Sequence, residues 1–211
     1  MKTVAIYTLG CKTNQYESNA IAQRFIENGY ELVDFEDKAD VYIVNTCTVT
    51  NMSDRKSRQI LRRAKQKNPN SVLIVIGCYV QVAKETLEGL EDIDILLGNN
   101  EKKDIIKYLD SFKKERKEKV TDVMHQKEYI EFGITTFTEK TRAVVKIQDG
   151  CDRFCSYCII PFARGRVRSR KIEEVKEEIK KIAKLGIKEV VLTRNTHRLL
   201  WKRFRRKYRT Y

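Results

Sequence analysis

The sequence predicts an α/β protein: a parallel-sheet N-terminal domain, then a further βαβ unit. Apolar runs of strand length alternate with helical patterns, as βαβ units require. Helical crossovers make a parallel arrangement the natural one. A third observation is that three cysteines each lie just past the end of one of the first three strand-like runs.

The first strand is read at 4–8, followed by a helix over 14–28 with Asn14 and Glu17 in capping-box spacing and Gly29 at its end. A second strand covers 41–45, and a helix follows at 53–67, with Ile60, Leu61 and Ala64 inward and Pro69 just beyond. The third strand is 72–76; the shorter run 93–97 adds a fourth before a helix over 102–109. From 110 to 141 the pattern degrades, and 113–119 is almost wholly charged. The domain boundaries are therefore drawn at 1–110, a charged linker at 111–141, and a second unit at 142–193. That unit has a strand at 143–147, a cysteine loop, an amphipathic helix over 172–185 closed by Gly186, and a strand at 189–193. One βαβ unit cannot bury both faces of its sheet, so more chain is expected to follow.

At 211 residues and 41% apolar, the chain suffices for one full domain and part of another. Neither a basic-then-apolar leader nor an apolar stretch of about 20 residues is present, so a cytosolic protein with no membrane association is expected. The formal charge of +14 is uneven: residues 194–211 hold eight Lys or Arg and no acid, leaving net +6 over 1–193. Polyanion binding is plausible but not compelled. The tail admits three readings: a solvated basic arm, an RNA-binding arm stacking Trp201, Phe204 and Tyr208, or out-of-frame sequence. The abrupt change of composition, where the fold needs another helix, favours the last.

Cys11, Cys47 and Cys78 follow the first three strands, and in an open parallel sheet the carboxyl ends share one edge. Any one of them alone reads as a small core residue; together they are candidates for zinc or for an iron–sulfur cluster with one iron unfilled by protein. Cys151, Cys155 and Cys158 form a C-x3-C-x2-C loop after a strand. A structural zinc there would need a fourth ligand, and the only histidines, His125 and His197, lie in the linker and the tail. An open position is what a catalytic cluster requires.

The loop resembles the radical S-adenosylmethionine motif, and the flanks Ile147 to Cys151 and Cys158 to Gly165 resemble the methylthiotransferase family. Thr8 to Ser18 and Asn45 to Thr50 are similar to that family's N-terminal domain, in the form of the branch acting on N6-threonylcarbamoyladenosine beside the tRNA anticodon. The resemblance covers 1–193 and makes the second unit the start of an incomplete radical SAM partial β/α barrel.

It implies that Cys151, Cys155 and Cys158 hold a 4Fe-4S cluster binding S-adenosylmethionine, whose reductive cleavage yields a 5′-deoxyadenosyl radical. It implies a second 4Fe-4S cluster on Cys11, Cys47 and Cys78 that carries the sulfur for insertion as a methylthio group at adenine carbon 2. Tyr157 takes the family's aromatic position near the cofactor's adenine. The implied partners are the tRNA anticodon loop and an electron donor such as flavodoxin or ferredoxin. Arg164, Arg166, Arg168 and Arg170 form a basic loop with two readings, solvated surface charge as exposed loop arginines usually are, or a contact to RNA phosphates. Arg194 stands where the family has a glycine, and a truncated, inactive or weakly active chain is expected. The competing reading is a basic RNA-binding or regulatory protein with structural metal-bound cysteines.

Overall fold

The computed structural model describes residues 1–90, 92–113, 115–132 and 142–195. His197, Trp201, Phe204, Tyr208 and the rest of the tail past 195 lie outside the described residues, as does 133–141 of the expected linker.

Six parallel strands build the N-terminal sheet in the order β2-β1-β3-β4-β5-β6. Its centre is β1 (Thr3–Thr8), β3 (Val41–Thr46) and β4 (Val72–Gly77). Every residue of β3 is buried, because helices cover both faces. On one face α1 (Lys12–Glu27) and α5 (Ile105–Asp110) pack Ile21, Phe25 and Ile105 against Val4, Ile43 and Ile74. On the other, α2 (Asn51–Lys67) and the short α3 (Cys78–Val82) and α4 (Lys84–Glu88) pack Leu61, Val80 and Leu87 against Tyr42, Val44 and Val75. The Thr50 hydroxyl caps α2 by accepting from the Ser53 amide at 3.2 Å, so the helix begins two residues before its expected start.

Three expectations are corrected. The first helix starts at Lys12 with Cys11 as its cap, so Asn14 and Glu17 are interior, buried positions rather than a capping pair. The expected helix over 102–109 is a 3-10 turn at Lys102–Asp104 followed by α5. Two three-residue edge strands were not foreseen, β2 (Glu31–Val33) and β6 (Lys117–Lys119). The latter falls inside the segment read as a charged linker and pairs with β5 (Ile95–Leu97), itself shorter than the run expected there. Downstream, Val123, Ile130 and Phe132 are buried. Ile130 and Phe132 pack on Tyr16 and Ala20 of α1 and on Val144, fastening the two units together.

The second unit pairs β7 (Arg142–Lys146) with β10 (Glu189–Thr193) in parallel, crossed by α7 (Ile172–Lys184). Ile182 and Ile179 of α7 pack on Val145 and Ile147. Between them β8 (Gln148–Asp149) and β9 (Arg168–Ser169) make a small antiparallel ladder that bounds the cysteine loop, which ends in α6 (Ile160–Arg164). No helix among the described residues is long and apolar enough to cross a membrane.

Candidate functional site

The chain leaves β1 for β2 on one side and then crosses to β3 on the other, so the order reverses between β1 and β3. A crevice opens at the carboxyl ends of strands where the order reverses. Cys11 caps α1 at the end of β1, Cys47 follows β3, and Cys78 opens α3 directly after β4. Burial raises the Cys47 thiol pKa, and Cys78 and Cys11 push it the same way, so the three sulfurs share one electrostatic neighbourhood. Two glycines permit this crowding. A Cβ on Gly10 (φ +97°) would lie 2.6 Å from Cys47 Sγ, and one on Gly77 (φ +105°) would lie 2.5 Å from the Thr46 carbonyl oxygen. Asn14 adds order by donating to the Leu9 carbonyl at 2.8 Å and to the Thr46 carbonyl at 3.0 Å, tying together the two strand ends that carry Cys11 and Cys47.

The second triad sits on a loop pinned at both ends. The Cys151 amide donates to the Gly165 carbonyl at 3.0 Å, and the Cys158 amide closes a turn on the Cys155 carbonyl at 2.9 Å. Phe154, in the left-handed region at φ 46°, turns the chain between the first two cysteines. Its ring meets Phe162 edge-on at 6.0 Å, with the Arg166 guanidinium 5.4 Å from its centroid. Cys151, Cys155 and Cys158 line one cavity of ≈ 210 Å³ together with Phe154, Ile160 and Pro161. Tyr157 is 90% exposed on the rim of this loop.

A buried ionic cluster joins the triads. Glu17 is fully buried and accepts from Lys102 Nζ, from Lys146 Nζ at 2.5 Å and from Arg164 at 3.0 Å. Asp149 accepts from Lys146 at 2.6 Å and Arg164 at 2.9 Å, and Arg164 also donates to Asn14 Oδ1 at 2.5 Å. Asn99 Nδ2 donates to the Ala163 carbonyl at 2.6 Å and lies 3.8 Å from Cys78 Sγ. Burial alone would raise the Glu17 pKa, but Arg164, Lys102 and Lys146 outweigh it and hold the carboxyl well below its usual range. Burial opposes the Arg164 charge too, yet Cys78, Glu17 and Asp149 raise its pKa well above the guanidinium norm. Arg168 is also buried, with Nε and one terminal nitrogen lacking a hydrogen-bond partner among the described residues. Four buried cations thus face two buried carboxylates, and the surplus positive charge borders Cys78.

Residues 3–98 match the Uncharacterized protein family UPF0004, and residues 145–209 match the Radical SAM superfamily. The threonylcarbamoyladenosine tRNA methylthiotransferase of Bacillus subtilis is 47% identical over 92% of this chain and 43% of its own length. Its namesake from Aquifex aeolicus is 43% identical over 90% of this chain and 47% of its own. The ribosomal protein uS12 methylthiotransferase of Clostridium perfringens is 38% identical over 90% of this chain and 43% of its own. The chain carries a UPF0004 match followed by a radical SAM match, and it is similar over about nine-tenths of its length to methylthiotransferases. It spans less than half the length of these relatives.

The radical SAM match implies S-adenosylmethionine and an iron–sulfur cluster, and the second triad fits such a group: three thiols line one cavity with Arg153, Phe154, Ile160, Pro161 and Asn195, and no further Cys, His, Asp or Glu is among its lining residues. Among the described residues, no three His, Cys, Asp or Glu are gathered as a single metal ion requires.

The family fold corrects the arginine loop. Arg164, Arg168 and Arg170 are buried, and only Arg166 faces solvent. Arg164 and Arg168 serve the ionic cluster, while Arg170 pairs with Glu178 and, at 2.9 Å, with Glu131. Asn99, Lys102, Lys146 and Asp149 had no role in the sequence reading. A charged residue inside an apolar strand, as Lys146 is in RAVVK, was the available signal.

Proposed function

We propose that the whole protein is a cytosolic tRNA methylthiotransferase that places a methylthio group at carbon 2 of N6-threonylcarbamoyladenosine beside the anticodon. The observation that carries this is the joining of two cysteine triads across one buried ionic cluster, with Asn99 reaching from Cys78 to the backbone of the helix that follows Cys158. Cys151, Cys155 and Cys158 would hold the cluster that binds S-adenosylmethionine, and Cys11, Cys47 and Cys78 a second 4Fe-4S cluster. Together these groups supply one-electron reduction and a sulfur for transfer. The chain's own residues do the rest. Phe154, Ile160 and Pro161 put apolar surface beside the second triad, while Arg153 and Asn195 bring polar groups to the same ≈ 210 Å³ cavity. The cationic surplus of Lys102, Lys146, Arg164 and Arg168 favours a negatively charged occupant at the first triad, as a cluster on three thiolates is. Tyr157, exposed on the loop, is the side chain available to lie against the cofactor's adenine. An electron donor such as flavodoxin or ferredoxin completes the reaction, and six free thiols are at home in a reducing compartment. Substrate choice follows the relatives at 47% and 43% identity, both named for threonylcarbamoyladenosine tRNA; others so named are 35–37% identical, and two named for uS12 are 38% identical.

The test is anaerobic reconstitution of the full chain with iron and sulfide. About eight irons per chain are expected, falling to about four when either triad is changed to alanine. Uptake of zinc with no iron–sulfur absorption would sink the proposal.

A further inference from the structure

Helix α2 carries Arg55, Lys56, Arg58, Arg62, Arg63, Lys65 and Lys67 against a single acid, Asp54. Part of this charge is accounted for. Lys65 pairs with Asp94 at 2.8 Å, and Arg63 and Lys67 share Glu36 at 2.5 and 2.9 Å. Arg55, Lys56, Arg58 and Arg62 have no carboxylate partner among the described residues, although positions 55, 58 and 62 recur on one helical face. Like charges at that spacing destabilise a helix, so the row is kept against its own repulsion. These arginines, with Gln59 and Gln66, line a shallow trough of ≈ 470 Å³ that contains neither an acid nor an apolar side chain.

The row is anchored at the catalytic edge. α2 begins four residues after Cys47, and Arg58 donates to the Tyr79 hydroxyl at 2.6 Å, with its guanidinium 6.0 Å from the Tyr79 ring centroid. Tyr79 is the neighbour of Cys78 in sequence. From there the arginines run about 10 Å along the helix, the rise of roughly three stacked nucleotides. Guanidinium forks and side-chain amides are the groups that hold phosphate oxygens.

We infer that the Arg55–Arg58–Arg62 face of α2 is a phosphate track for an RNA strand whose target nucleotide enters the crevice at the strand ends. The inference rests on the tRNA reading above and adds where, on the UPF0004 domain, the backbone beside that nucleotide lies. Such contacts position the strand and carry no sequence information, so they act alike on every RNA that fits.

The experiment measures binding of a fluorescent anticodon stem-loop RNA to the full chain across a range of salt. It compares wild type, Arg55→Gln/Arg62→Gln, and the control Lys103→Gln/Lys107→Gln on the opposite face of the sheet. Both substituted arginines are solvent-exposed, so the fold is retained, with circular dichroism as the check. The arginine pair is expected to bind roughly tenfold more weakly at ~0.1 M salt, with the slope of log affinity against log salt smaller by about two. A stem-loop of scrambled sequence should lose affinity equally, and the control should stay within about twofold of wild type. Unchanged affinity and slope, an equal loss in the control, or no salt-dependent RNA binding by wild type each overturns the track. Loss of binding to an acidic flavodoxin with RNA binding intact does so too, and gives the face to a protein partner. The iron count stands apart: if it fails while RNA binding still depends on Arg55 and Arg62, the enzyme reading falls and the track remains.

Discussion

Glu17 is the residue on which most depends, because three cations converge on a carboxylate with no access to water. Removing one member of a buried ionic group leaves uncompensated charge behind, at a cost of about 3–5 kcal/mol. Glu17→Gln is therefore expected to lower the urea-unfolding free energy by about 3 kcal/mol. Lys65→Met, which breaks a partly exposed pair, should cost about 1 kcal/mol or less, since Asp94 keeps its bond from the Leu73 amide at 2.7 Å. Equal losses in the two variants would refute the weight given to burial. A second residue sets a pH dependence. Burial raises the Glu131 carboxyl to about 7 against the opposition of Arg170, with Glu174 reinforcing the rise. The folded chain then holds this proton more tightly than the unfolded chain, whose carboxyl titrates near 4.5. The contribution is full below about pH 4.5 and fades as pH rises through about 7. Glu131→Gln should flatten that part of the profile of melting temperature against pH; an unaltered profile would assign the slope to other groups.

Glycines that look alike in the sequence act differently as parts of elements. Gly29 ends α1 at φ +81° with open space around a would-be Cβ, whereas Gly77 joins β4 to α3 with the Thr46 carbonyl in the way. Gly29→Ala should cost about 1 kcal/mol through backbone conformation alone. Gly77→Ala is expected to cost about 3 kcal/mol, because β4 must move off β3, and to reduce iron uptake because Cys78 moves with it. Urea unfolding and the iron count check both, and comparable behaviour of the two variants would show that the β3–β4 approach is not tight. The elements also show what the sequence could reveal. β3 and β4 carry the apolar runs 41–44 and 72–76, and both strands lie within a residue of the bounds the sequence predicts. β6 is Lys-Glu-Lys at the sheet edge, where ladder bonds, not side-chain burial, do the pairing, so no periodicity marks it. The cap of α1 was misplaced because Asn14 and Glu17 mimic a capping box while serving a contact with the second unit.

At the scale of the molecule, protection is expected to grade from one unit to the other. β3 and β4 lie inside a six-stranded sheet covered on both faces, whereas β10 pairs, among the described residues, only with β7 and is partly exposed along its length. Hydrogen exchange should be slowest at Val41–Thr46 and Val72–Gly77 and faster at Glu189–Thr193; equal rates would mean the second unit is as well buttressed as the first. The cysteines and their placement past the strands were legible because thiols at strand ends are rare and local in sequence. The ionic cluster was not, because Glu17, Lys102, Lys146 and Arg164 are far apart along the chain, and only Lys146, a charge inside an apolar strand, carries a local sign of burial. That cluster also constrains inheritance. Glu17 and Lys102 come from one domain, Lys146, Asp149 and Arg164 from the other, and an exchange on one side alone strands a bare charge away from water. A chimera joining this N-terminal half to the radical SAM half of a distant relative is expected to assemble only if both sets travel together, so the two halves have to be exchanged as a matched pair.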